Sequence, residues 1–204
     1  MIATHNTFTY LTTKNVFVNL LKTFWRCQVD DIGAQYNNGV RYFDIRVKYK
    51  YDHKLGTYWQ VCHGIANVDI YFKTAKELSE YIHINFPEAI YRVLLESYDD
   101  EYEILLFKEE FFGLQDSKLV ELAIKHPWEI LFMSNSHPSK TIDLCCKLFN
   151  WNPEKSIWYN IKNFDFSSIS IKKWAKKHNP KEITKDMLLD KSIVYFLDYY
   201  NLTL

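Results

Sequence analysis

Residues 40–49 read VRYFDIRVKY, and the reading of this run decides the fold. Apolar and charged residues are interleaved too closely for one helical face, so the run is expected to be a strand of mixed burial. Just before it, VDDIGAQYNNG (29–39) places Val29, Ile32 and Tyr36 on one helical face and offers Gly39 as a C-cap. Just after it, YWQVCHG (58–64) is a second strand that ends on a glycine. Strand and helix then keep alternating.

A helix is expected within KTAKELSEYIHINFP (73–87), with Thr74 and Glu77 as a capping box and Pro87 as the stop. AIYRVLLES (89–97) is a buried strand, DSKLVELAIKHP (116–127) looks helical, and WEILFMS (128–134) looks extended. SKTIDLCCKLF (139–149) is a helix candidate and IWYNI (157–161) a short strand. SIKKWAKKHN (170–179) is a basic amphipathic helix, and KSIVYFLDYY (191–200) is a final strand. Short apolar strands covered by helices imply a largely parallel sheet, open or closed into a barrel. In a closed barrel the first and last strands are neighbours, so residues near both termini can share a site.

A chain of 204 residues with 48% hydrophobic and 25% charged residues is expected to form one globular domain, 1–204. Its 25 basic residues balance 25 acidic ones, which argues against a dedicated polyanion binder. No signal peptide is visible, and no run approaches the roughly 18 apolar residues of a spanning helix. The four cysteines, Cys27, Cys62, Cys145 and Cys146, match neither a zinc spacing nor a disulfide framework, so buried thiols in a cytoplasmic protein are expected. The glycosylation-like NLT (201–203) is then idle.

Polar residues recur at the expected strand ends: His5, Asp44 and Arg46, His63, Glu96 and Asp198. His5 lies between small polar residues in IATHNTFTY (2–10), and His63 is followed by Gly64, where a loop can bring a ligand close. Two imidazoles in one pocket are a natural base and acid, since they exchange protons near neutral pH. His83 is expected on a helix, and His53, His126, His137 and His178 on loops or the surface. Asp44 and Arg46 are two apart, hence on one face of a strand. They form either a structural ion pair or a phosphate-binding guanidinium with the carboxylate that orients it. A carboxylate such as Asp198 or Glu96 opposite His5 would hold its tautomer.

The ordered set ATHNTFTY, GVRYFDIRVKY, VCHG, AIYRVLLE and VYFLDYY resembles the catalytic X domain of phosphatidylinositol-specific phospholipase C. The resemblance spans nearly the whole chain, is nearest the bacterial metal-independent branch, and implies an α/β fold: an irregular, compact, TIM-like (β/α) barrel. It places His5 on the general base for the inositol 2-hydroxyl, Asp198 on its carboxylate partner, and His63 on the general acid. Arg46 falls on the phosphate-stabilising arginine and Asp44 on the carboxylate beside it. The implied reaction gives diacylglycerol and a 1,2-cyclic inositol phosphate.

Asn6 stands where bacterial members carry Asp, and Asn6, Asp44 and Glu96 resemble calcium ligands of eukaryotic members. Arg46, however, puts a positive charge in the metal's place, so a metal-free site is expected, with calcium on those three residues as the alternative. A catalytically weak phosphoinositide-binding barrel and a phosphodiesterase for another substrate are the competing readings. The expected partner is phosphatidylinositol on an anionic membrane surface, contacted peripherally by Lys172, Lys173, Trp174, Lys176 and Lys177. A monomer that does not bind nucleic acid is expected.

Overall fold

The 40–49 run belongs to the longest strand among the described residues, β2 (Val40–Asp52), whose two halves have different partners. In a computed structural model, the residues described are 1–96, 98–124, 132–133, 140–145, 156–163 and 169–202. The first half of β2 lies between β1 (Ile2–Thr4) and β5 (Ile90–Leu95), parallel to both. Its second half pairs antiparallel with β3 (Gly56–His63), which pairs antiparallel with β4 (Ala66–Phe72). β6 (Leu119–Ile124) extends the sheet beyond β5 in parallel, and β7 (Phe132–Met133) closes that side antiparallel. On the other side β9 (Ile193–Leu197) lies parallel to β1, and β8 (Lys140–Asp143) lies parallel to β9.

The strand order is therefore β7-β6-β5-β2-β1-β9-β8, with β3 and β4 branching from β2. The expectation of a TIM-like barrel is overturned: among the described residues no ladder joins β7 to β8, and the sheet is open. Closure needs a continuous ring of tilted parallel strands. Here antiparallel partners divert the chain twice, at β2–β3–β4 and at β6–β7. The first and last strands are still neighbours, because β1 is inserted between β2 and β9 inside an open sheet.

Several helices form where capping chemistry predicts. α2 (Ile32–Asn37) is capped by Asp31, and Gly39 behind it takes φ 93°, which a side chain would strain. α3 (Ala75–Asn85) has Thr74 accepting from the Glu77 N–H, while the Glu77 carboxylate accepts from the Lys73 N–H. α1 (Val16–Leu20) is capped by Asn15 and buries none of its residues. α4 (Glu101–Phe107) runs on through a π-helical stretch, Lys108–Phe112. α6 (Ile171–His178) and α7 (Lys185–Leu189) precede β9.

Three local expectations fail. The 116–127 run contains β6, and 139–149 contains β8. The 157–161 run is helical, as α5 (Ile157–Lys162), capped by Ser156. Parts of these runs, with 125–131, 134–139, His126, His137, Cys146 and Thr203 of the NLT sequence, lie outside the described residues.

Both faces of the sheet carry apolar cover. The larger core gathers Ile2, Phe43, Ile45, Tyr91, Val93 and Leu95 with Trp59, Leu78 and Phe111. The smaller gathers Ala3, Tyr42, Val120, Val194 and Phe196. The two-residue alternation of that second face leads within β2 from Tyr42 to Asp44 and Arg46, and just past the ends of β1 and β9 from Ala3 to His5 and from Phe196 to Asp198.

Candidate active site

Backbone pairing sets the frame. Thr4 is in register with Leu197, so the residues that follow, His5 and Asp198, emerge together at the C-terminal ends of two parallel strands. Asn6 and Tyr199, each directly behind one of these residues, are the two non-glycine residues with positive φ among those described, at 48° and 47°. Asparagine tolerates that conformation; for tyrosine it is strained, and such strain concentrates at functional sites. The Tyr199 N–H donates to the Cys27 carbonyl at 2.5 Å, which holds the turn.

His5 Nδ1–H donates to Asp198 Oδ1 at 2.7 Å, with both side chains buried. Its Nε2 receives two donors, Asn6 Nδ2 at 3.0 Å and Arg46 Nη2 at 2.5 Å. Two donors on Nε2 require the neutral tautomer with its proton on Nδ1, so the basic lone pair lies on Nε2. His63 stands across the site, its ring centre 5.7 Å from that of His5. It arrives on β3, which the antiparallel pairing of Val61 with Val47 returns toward the Arg46 end of β2. His63 Nδ1–H donates to the Trp25 carbonyl at 2.5 Å, which leaves proton exchange to Nε2. Burial, then the positive charge of Arg46, lowers the His63 pKa from 6.5 to about 4.

Arg46 lies between these groups. Its Nη1 donates to Glu96 at 2.9 Å and its Nε sits 3.5 Å from Asp44 Oδ2. Asp44 is fully buried, accepts from the Asn6 N–H at 3.0 Å, and takes a 2.6 Å bond from Arg92 Nε. Burial alone would raise its pKa, but Arg92 and Arg46 outweigh burial and hold Asp44 ionised well below the usual carboxylate range. The same acidic partners outweigh burial at Arg46 and keep it cationic.

The sequence-predicted residues His5, Asp198, Asp44, Arg46, His63, Asn6 and Glu96 thus meet in one place. For calcium the fit is poor. The carboxylates of Asp44 and Glu96 are already bridged by guanidinium groups, and a cation there would face Arg46 at contact distance. A different donor set, His5, Cys27 and Asp198, brings one ligand atom from each within 4.8 Å of the others, a combination suited to a thiophilic cation rather than calcium.

Four contributors were not foreseen. Trp25 offers only its carbonyl, which no sequence pattern marks. Gln28 donates from Nε2 to the carbonyls of both His5 and Leu197, at 3.1 and 2.8 Å, tying the two strand ends together. Arg92 is the register partner of Asp44 and packs its guanidinium 4.0 Å over the Phe196 ring. Cys27 places its sulfur 3.6 Å from His63 Nδ1 and 3.7 Å from Asn6 Nδ2. Burial, reinforced by the Asp198 charge, pushes its thiol pKa well up, so it is an inert packing group here. Cys62 and Cys145 are likewise free and buried.

The basic helix α6 exposes Lys172, Lys173, Lys176 and Lys177, but Trp174 is committed inward. Its Nε1–H donates to the Leu144 carbonyl at 2.9 Å and its ring stacks on His178 at 3.8 Å. The larger apolar surface was missed: Val16, Phe17 and Leu20 of α1 are 70–78% exposed, and Leu21 and Phe24 follow them. This segment is tied to the site, since Trp25 Nε1–H donates to the Val18 carbonyl at 2.7 Å. No helix among the described residues is long and apolar enough to cross a membrane.

No family model and no curated protein matches this chain. Two solved structures do. One is a double mutant of the phosphatidylinositol-specific phospholipase C from S. aureus, at 13% identity and TM-score 0.51 over 100% of this chain and 86% of that one. The chain shares that fold. The other is the phosphatidylinositol-specific phospholipase C from Listeria monocytogenes, at 14% identity and TM-score 0.47 over 98% of this chain and 87% of that one.

Proposed function

We propose that the protein is a phosphoric diester-cleaving enzyme of the phospholipase C type, acting on phosphatidylinositol at the surface of a membrane it does not span, on the cytoplasmic side. One observation carries this reading: a carboxylate-anchored imidazole and a second imidazole face each other across a single arginine. Acyl transfer would need a nucleophile, and the thiols beside the site, Cys27 and Cys62, are both held neutral by burial. A phosphodiester that carries its own hydroxyl needs only a base, an acid and a fixed cation.

In this reading Arg46 Nη2 turns from His5 Nε2 onto the phosphate and Asn6 Nδ2 gives way to the substrate hydroxyl, which frees the Nε2 lone pair as the charge on phosphorus is met. His5 then removes the inositol 2-hydroxyl proton, and Asp198 stabilises the imidazolium that forms. The oxygen attacks phosphorus, the bond to the diacylglycerol oxygen breaks, and His63 Nε2 protonates that leaving oxygen. The products are diacylglycerol and 1,2-cyclic inositol phosphate. His63 needs help to hold its proton, because burial and then Arg46 depress its pKa. A bound phosphate anion supplies that help by offsetting the arginine. Asp44, fixed by Arg92, keeps Arg46 in place. The exposed apolar segment 16–24, flanked by Lys14, Lys22 and Arg26, enters the lipid interface.

The test is to incubate the protein with phosphatidylinositol vesicles, in EDTA or with calcium, and follow phosphorus species by NMR. A cyclic phosphate formed in EDTA is expected. Vesicle binding without product in either condition overturns the enzyme reading for this lipid. A binding protein with little turnover is the second reading, favoured by the short Arg46–His5 contact, which blocks the base in the empty site.

A further inference from the structure

Beside the turn at Tyr199, the segment Lys22–Val29 and the start of α6 enclose a cavity of about 270 Å³. Its wall carries three cations, Lys22, Arg26 and Lys172, from segments far apart in sequence. Among the described residues no carboxylate lies within ion-pair distance of any of the three. Elsewhere in the molecule arginines are matched: Arg41 to Glu88, Arg46 to Asp44 and Glu96, and Arg92 to Asp44. Among the arginines Arg26 is the exception, and two further cations share its wall.

Two further observations point to a missing anion. Arg26 Nε is buried and has no hydrogen-bond partner, a costly state for a guanidinium N–H. Ser170 and Lys172 bring the N-terminal turn of α6 to the same wall. Ser170 Oγ accepts from the Lys173 N–H at 3.4 Å, and the other first-turn amides of that helix have no intrahelical acceptor. Like charges converge here without a counter-charge, at a helix end that itself favours negative charge.

We propose that this cavity binds a tetrahedral oxyanion of the phosphate-monoester class, at a site separate from the phosphodiester site around Arg46. Arg26 would turn its guanidinium onto the anion, and Lys22 and Lys172 would supply charge. The ligand is either the headgroup of a neighbouring anionic lipid or a soluble phosphate, and the shared chemistry is the same. Lys22 belongs to the segment whose apolar side chains are exposed, so a lipid headgroup and that apolar surface would engage one membrane together.

The experiment is a backbone amide NMR titration of the full chain with inorganic phosphate. Shifts at residues 22–26 and 170–173 are expected. Replacing Lys22→Ala together with Lys172→Ala, both exposed and outside the core, is expected to weaken phosphate binding there at least about tenfold. Arg26→Lys, which keeps the charge but loses the Nε–H, is expected to weaken it as well. Shifts confined to the surroundings of residues 5, 46 and 63, or an unchanged affinity in the double variant, overturn the proposal. Shifts at those other residues report separately on the phosphodiester site, so the two readings can fail independently. Vesicles of phosphatidylcholine with and without phosphatidic acid separate the sources. An acid-dependent gain in binding that the double variant loses assigns a lipid headgroup; phosphate binding at 22–26 and 170–173 without that gain assigns a soluble phosphate.

Discussion

His5 and His63 stand on two differently built regions. His5 follows a three-residue strand buried between two parallel neighbours, and a buried carboxylate from the adjacent strand end fixes its ring. His63 ends a strand of the antiparallel β2–β3–β4 excursion, and a backbone carbonyl from outside the sheet fixes its ring. A carboxylate stabilises an imidazolium that forms during reaction; the Trp25 carbonyl orients the His63 ring and favours its charged form too weakly to offset burial and Arg46. The parallel region is therefore suited to take up a proton, and the antiparallel region to release one when an anion has first raised its affinity for it.

The harshest way to break this comparison is to remove the group on the parallel side. His5→Ala is expected to lower turnover of phosphatidylinositol by about 10³–10⁴-fold, with circular dichroism unchanged. Turnover within tenfold of the parent would remove His5 from the base role. Arg46→Ala comes next, at about 10²–10³-fold, because it deletes the fixed charge facing the phosphate. It also removes one of the two donors on His5 Nε2 and lifts the main cation acting on His63. The His63 titration, followed by NMR, is therefore expected to move up toward 6.5 in this variant, and an unmoved value would contradict the cause assigned to it.

A smaller effect is expected at the exposed apolar segment 16–24. Phe17→Ser with Leu20→Ser removes two side chains that are 78% and 74% exposed and make no core contact. Vesicle binding should fall at least about tenfold, since burying each side chain contributes about 1.5–3 kcal/mol. Cleavage of a short-chain soluble substrate should not change. Equal losses on both substrates would place the segment in the folding or the chemistry rather than at the membrane.

The site was legible in sequence because alternation along strands is a strict rule. Asp44 and Arg46 had to share a face, and His5 and Asp198 had to sit at strand ends once the flanking apolar runs were strands. What was illegible follows from the same logic. The Trp25 carbonyl and the register pairing of Asp44 with Arg92 depend on tertiary placement, which leaves no local mark. Leu119, Leu122 and Ala123 of β6 fit a helical spacing as well as a strand buried on both faces, so that run was misread. In α5 the Ser156 cap was the available signal, and the aromatic, β-branched composition of 157–161 outweighed it. Strand–helix alternation left the sheet open or closed, the barrel came from the family resemblance, and no residue pattern announced that β3, β4 and β7 would pair antiparallel.

The mildest test needs no substitution, only pH. In the ligand-free protein His63 should titrate at about 4, against 6.5 for an unhindered histidine. Between those values the unfolded chain binds the proton and the folded chain does not, so the unfolded state gains as pH falls. The His63 contribution is thus intact above about 6.5 and is lost as pH drops through that window to about 4. His63→Gln, which cannot take the proton, should flatten this part of the stability profile in chemical denaturation at several pH values. Saturating the site with an inositol phosphate should raise the His63 titration, because the anion offsets Arg46. A value that stays near 4 with the anion bound would leave His63 neutral at working pH and without a proton for the leaving group.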